Sequence, residues 1–120
     1  MECLKYYAAA CQTDQPNPLH RSEMKRNTAH ILQMIDQTVV GYAPFLPVKL
    51  VVFPEFAHAA PVYLTTKELR EKLAVPIPNE HTERIHARAQ EYFERSRECH
   101  RNPFGAANRL GQEKSRLLGN

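Results

Sequence analysis

Within Leu50-Val51-Val52-Phe53-Pro54-Glu55-Phe56, a carboxylate follows directly on a short apolar run. Four apolar residues, two of them β-branched, make the pattern of a fully buried strand. Pro54 has no N–H to donate, so it ends the ladder, and Glu55 comes next. Ligands of open α/β sheets bind beyond the carboxyl ends of the strands, which places Glu55 at the mouth of such a site. An ordinary loop carboxylate shows the same local pattern, so this stretch alone leaves both readings open.

The other reactive side chains are less well placed. His81 and His86 are five apart, off a common helical face, and no H-E-x-x-H arrangement is present. His20, His30 and His58 stand alone in the sequence, and Cys99-His100 is an adjacent pair whose side chains diverge on a helix. Solvated or packed histidines are expected, and no metal or cofactor. A nucleophilic cysteine needs an activating base and an exposed place. Cys11 falls inside an apolar run and reads as a small buried hydrophobe, Cys3 is terminal, and Cys99 lies in an irregular region. Four glycines supply neither a G-x-G-x-x-G nor a Walker-type loop.

The elements that would position Glu55 follow from periodicity. Leu4 to Gln12 is mostly apolar and runs into Asp14-Gln15-Pro16-Asn17-Pro18, so it reads as a buried strand ended by turn chemistry. Met24, Thr28, Ile31, Leu32, Ile35 and Val39 recur at spacings of three and four, the stripe of an amphipathic helix. That helix runs from about Pro18 or Ser22 to Val40, with Ser22 or Asn17 as cap and Gly41 to close it. Leu50–Phe53 is the second strand. Strand, helix and strand at this spacing form a βαβ unit with parallel neighbouring strands. Their C-terminal ends, Cys11-Gln12 and Pro54-Glu55, then meet at one sheet edge. Thr65-x-x-Glu68 opens a short helix with Leu69 and Leu73 inward. After Val75-Pro76-Ile77-Pro78, Asn79 caps a further helix to about Glu94, with Ile85, Ala89 and Tyr92 or Phe93 inward.

Beyond Phe93 the pattern changes, and residues 93–120 contain no Val, Ile or Tyr. Ten basic residues balance ten acidic ones through Tyr92, so the formal charge of +3 comes entirely from six basic against three acidic residues after it. A basic, irregular or weakly helical tail is expected, distinct from a domain over residues 1–92. Hydrophobic and charged contents of 42% and 24% are those of a soluble globular domain, and a cytoplasmic address is the default. No apolar run approaches the length of a membrane span, and the N-terminal apolar stretch is too short for a secretory leader. Three cysteines without a C-x-x-C pair fit reduced thiols. With Phe104 as its one aromatic residue after Phe93 and no motif, the tail gives no basis for nucleic-acid binding.

Taken in order, Tyr7-Ala-Ala-Ala-Cys-Gln12, the helix containing Asn27 and Ile31, Leu50-Val-Val-Phe-Pro-Glu55-Phe56 and Ala89-Gln-Glu-Tyr92 resemble the N-terminal third of the nitrilase superfamily, the carbon–nitrogen hydrolases. The resemblance covers about residues 4–92. It implies an α/β fold, an incomplete α-β-β-α sandwich made of the βαβ unit plus one or two further helices, with an irregular C-terminal tail. It also implies a small nitrile or amide substrate for the full-length family, cleaved by a Glu-Lys-Cys triad. Glu55 matches the glutamate, the general base that takes the proton from the cysteine thiol and later from water. The lysine and cysteine roles have no match: Lys67, Lys72 and Lys114 sit in no corresponding motif, and Cys99 lacks a strand context. Where the family's third strand should follow Tyr92, this chain reads Phe93-Glu-Arg-Ser-Arg-Glu-Cys-His100. A reading frame truncated or shifted near Phe93 accounts for that departure; a genuine alternative C-terminus is the other reading.

Two functions follow as expectations. The first is a carbon–nitrogen hydrolase chain that keeps the base alone, is inactive by itself, and self-associates through exposed sheet. The alternative is a small non-catalytic α/β interaction module with a basic tail. Neither involves a membrane or nucleic acid.

Overall fold

A computed structural model describes residues 3–14 and 16–101, with side chains through residue 98. Strand β1 (Tyr7–Ala10) is followed by a 3₁₀ turn (Arg21–Glu23), helix α1 (Met24–Tyr42), strand β2 (Val48–Val52), helix α2 (Thr66–Lys72) and helix α3 (Glu80–Arg101). The two strands pair in parallel, Ala8 to Leu50, Ala9 to Val51 and Ala10 to Val52, with one irregularity between Tyr7 and Ala8. Cys11 N–H donating to the Val52 carbonyl at 2.8 Å carries the pairing one residue further. The chain is therefore α/β, with the βαβ unit formed.

Helix α1 covers one face of this small sheet. Ile31 and Ile35 pack with Ala57, and Val39, Val51, Phe53, Ile85 and Tyr92 close around them. Alternation along β2 explains which residues go inward: Val51 and Phe53 point at α1, whereas Leu50 and Val52 point away and are 50% and 51% exposed. Both strands thus differ from the fully buried elements expected. In β1 only Ala9 is half-buried, and Tyr7 leans edge-on against Tyr42, 5.6 Å between ring centroids. The sequence is apolar enough for burial on two faces, but among the described residues only one face is covered.

The caps are local chemistry. The N-cap residue of α1 is Glu23 rather than the expected Ser22 or Asn17, and its carboxylate turns back to accept from the backbone N–H groups of Leu19 (2.6 Å) and His20 (3.4 Å) instead of from the helix's own first N–H groups. Gly41 lies inside α1, and Pro44 follows two residues after the helix ends at Tyr42. Thr65 accepts from Glu68 N–H and opens α2, with Leu73 buried and Leu69 half-buried beneath it. At its other end, the Arg21 guanidinium donates to the carbonyls of Arg70 and Ala74 at 2.7 and 2.8 Å. The Arg70 carbonyl is one of the acceptors that the C-terminus of α2 leaves free, and the Ala74 carbonyl follows just after its C-cap Leu73. Asn79 Oδ1 accepts from His81 and Thr82 N–H and starts α3.

Helix α3 docks on α1 through Asp36, whose two carboxylate oxygens accept from Arg88 Nη1 and, at 2.6 Å, from Tyr92 OH. Ile85 and Tyr92 face inward as expected, while Ala89 and Phe93 are exposed. The helix continues to Arg101 rather than ending near Glu94, so of the two forms expected for the tail, irregular or weakly helical, residues 93–101 take the helical one. Arg95 pairs with Glu91 one turn earlier, at 2.5 Å, which helps carry the helix through that charged stretch. Residues 102–120, including Lys114, lie outside the described residues.

Candidate functional site

Parallel pairing brings the ends of β1 and β2 to one edge, and an open cleft of about 360 Å³ lies there. That is within the size range of small-molecule sites. Thr13 and Asn17 line it from the segment after β1, Asn27 from the first turns of α1, and Pro54 to Ala57 from the segment after β2.

Glu55 is presented by a tight turn. The Pro54 carbonyl accepts from Ala57 N–H at 3.1 Å, which leaves Glu55 and Phe56 at the two central positions. Proline suits the turn's entry because it ends the ladder, and Ala57 anchors the exit in the Ile31–Ile35 core. The Glu55 side chain is exposed and makes no ion pair among the described residues. Its carboxylate is open to a ligand, as a hydrogen-bond acceptor or a base.

Behind the turn lies a buried polar network that the spacing of the histidines does not reveal. Asn27 is 3% exposed, and its Nδ2 donates to the carbonyls of Pro16 (3.3 Å) and His58 (2.9 Å). It thereby ties both cleft-lining segments to α1. Thr28 is fully buried, with Oγ1 3.1 Å from the Met24 carbonyl, 2.6 Å from His58 Nε2 and 2.8 Å from His81 Nδ1. A hydroxyl has one proton and two lone pairs. All three contacts are satisfied together when Thr28 donates to Met24 and accepts one N–H from each imidazole. The two rings stand edge to face, 4.7 Å between centroids. His81 is 4% exposed, with its Nε2 3.6 Å from Glu80 Oε1. Burial first, and the adjacent His81 second, hold His58 below the ordinary imidazole range.

His58 is therefore not isolated, and it packs against His81 rather than standing apart. The signal present in the sequence was a pair of polar residues, Asn27 and Thr28, in phase with the apolar stripe of α1. Thr28 falls on that stripe, and its spacing does not reveal that its hydroxyl needs partners.

The remaining sequence candidates lie away from the cleft. Cys11 is half-buried with its Sγ 3.8 Å from Thr38 Oγ1, and Cys3 is exposed; neither lines the cleft. Lys72 sits over the Tyr63 ring, its Nζ 5.0 Å from the centroid, and Lys67 is exposed on α2. The side chains of Cys99 and His100 fall outside those described. Among the described residues no three of His, Cys, Asp and Glu cluster as metal ligands, and no helix is long and apolar enough to cross a membrane.

Compared with known proteins, the chain matches no family model, no curated protein and no solved structure.

Proposed function

We propose that this chain is the N-terminal part of a carbon–nitrogen hydrolase of the nitrilase type, carrying the general base Glu55 and binding a small amide or nitrile without turning it over alone. The observation that carries the reading is the position of Glu55: exposed, on a tight turn, in a cleft beyond the carboxyl ends of two parallel strands. A carboxylate there can take a proton from a nucleophile, but cleavage of an amide also needs the nucleophile and a group to stabilise the developing charge. No cysteine or lysine lines the cleft among the described residues. The incomplete sandwich belongs to the same reading, because the exposed Leu50 and Val52 face suits a sheet meant to be covered by a further layer.

Titration of acetamide and of acetonitrile into the ¹⁵N-labelled chain tests this. Amide shifts confined to Thr13, Asn27 and Glu55–Ala57, weakened by Glu55→Gln, are expected, with no ammonia released over hours. Absence of these shifts, or shifts elsewhere, removes the binding site. Turnover abolished by Glu55→Gln would show that the chain needs no partner for catalysis.

A further inference from the structure

We propose that His58 and His81, sharing the Thr28 hydroxyl, form a proton-operated latch that holds the Glu55-bearing turn against α1 and α3 at neutral pH and releases it on acidification. The proposal concerns the conformation of the turn and stands apart from the hydrolase reading.

Three elements meet at one hydroxyl. His58 belongs to the segment after β2, three residues beyond Glu55; Thr28 belongs to α1; His81 lies in the first turn of α3. The arrangement is complete with both imidazoles neutral, each giving one N–H to Thr28 Oγ1. Charging both rings would set two cations 4.7 Å apart between centroids in a largely buried place. Of the groups packed around the pair, α1 offers the Thr28 hydroxyl, the Met24 carbonyl and the neutral Asn27 amide. Helix α3 offers His81 itself and Glu80. Glu55, on the segment itself, pairs with neither ring, and no Lys or Arg forms an ion pair with a group of the latch among the described residues. Glu80 is 64% exposed at its side chain and can match one added charge but not two.

The depressed His58 supports the direction. A group whose folded pKa lies below its unfolded value stabilises the fold fully above the ordinary value of about 6.5, and that contribution is lost as pH falls through the folded pKa. The latch reaches the cleft by a short path. The His58 carbonyl accepts from Asn27, Asn27 lines the cleft, and the Pro54–Ala57 turn lies directly before His58.

Residue-resolved hydrogen exchange of the Ala57 amide, corrected for intrinsic rates, reports opening of the Pro54–Ala57 turn. It would be followed from pH 8 to pH 5 beside the imidazole ¹³Cε1 shifts of the whole chain. The opening constant is expected to rise below about pH 6.5, by up to about tenfold per pH unit for one linked proton. In His58→Gln, where a neutral amide N–H replaces Nε2–H, the profile should be flat. His81→Asn, which places an amide N–H near the Nδ1 position, removes the neighbouring ring but not the burial of His58, and should make the slope shallower without abolishing it. A flat wild-type profile overturns the latch whether or not either variant folds. A wild-type slope that persists unchanged in a folded neutral variant overturns it too.

Discussion

Replacing Thr28 by valine removes one oxygen and leaves the shape of the side chain almost unchanged, so it isolates the value of the hydroxyl. Thr28 is fully buried, and its Oγ1 serves the Met24 carbonyl and both imidazoles. With valine there, the His81 N–H, on a residue only 4% exposed, loses its acceptor. A buried donor left without a partner costs about 1–3 kcal/mol. His58 is less deeply buried and can turn its N–H towards water, so its share is smaller, about 1 kcal/mol or less. The extra methyl of valine returns about 0.8 kcal/mol at most. Thr28→Val should therefore lose roughly 1–3 kcal/mol, which in urea moves the midpoint down by about 0.5–3 M for a slope near 1–2 kcal/mol/M. Thr28→Ser keeps the oxygen and gives up one methyl, a loss of about 1 kcal/mol. Urea unfolding at pH 7.5, followed by circular dichroism with slopes compared, separates the two variants. Valine should be the more damaging, opposite to the order that apolar burial alone would give. A valine variant as stable as wild type, or more stable than the serine variant, would refute the network.

Two further outcomes follow from the same structure. Backbone N–H donation from Leu19 holds Glu23 below the ordinary carboxylate range, so the stabilisation it gives is present above about pH 4.5 and is lost as pH falls through its lower folded value. Glu23→Gln should accordingly flatten the acid limb of stability against pH below about 4.5 while leaving the histidine-linked limb that begins below about pH 6.5 in place, as read from thermal midpoints at closely spaced pH values. Leu50 and Val52 point away from α1 and are half exposed, so Leu50→Lys with Val52→Thr should lower self-association in sedimentation velocity. The unfolding free energy should change by no more than about 0.5–1 kcal/mol, and a monomeric wild type, or an unchanged oligomer in the double variant, would exclude the sheet face as the contact.

The βαβ unit was legible because its signals are local and agree with one another. An apolar run leading into turn chemistry and another stopped by Pro54 mark the two strands, and a stripe with a period near 3.6 marks α1. Their combination dictated parallel pairing, and with it the placement of Glu55 in the cleft. The starts of α2 and α3 were equally legible, since Thr65 and Asn79 are capping residues whose side chains do in the structure what their type predicts. What escaped the sequence was non-local. An apolar run does not say how many faces will be covered, so Leu50 and Val52 read as core although they are exposed. Helix α3 runs to Arg101, past the expected end near Glu94, because a helix does not stop where its apolar periodicity does: charged pairs such as Glu91–Arg95 sustain a solvated one. His58 and His81 stand 23 positions apart in the numbering, and nothing local links them; only the packing of α3 on α1 does.

Asn27 and Thr28 are where these threads join. They are consecutive, so on a helix their side chains point about 100° apart, and both are nevertheless buried because segments of the chain wrap α1 on two sides there. Asn27 holds the backbone of His58, and Thr28 holds its ring. One histidine is thus fixed at two points from one turn of α1, and the turn bearing Glu55 is fixed by the same residue. A ligand that orders the Pro54–Ala57 turn must then favour the neutral imidazole pair, and by reciprocity neutral imidazoles must favour that ligand. Cleft affinity should fall on acidification even for a ligand with no titrating group of its own. That dependence would originate in His58 and His81 rather than in Glu55, so a neutral ligand measured against His58→Gln and Glu55→Gln separates the latch from the carboxylate.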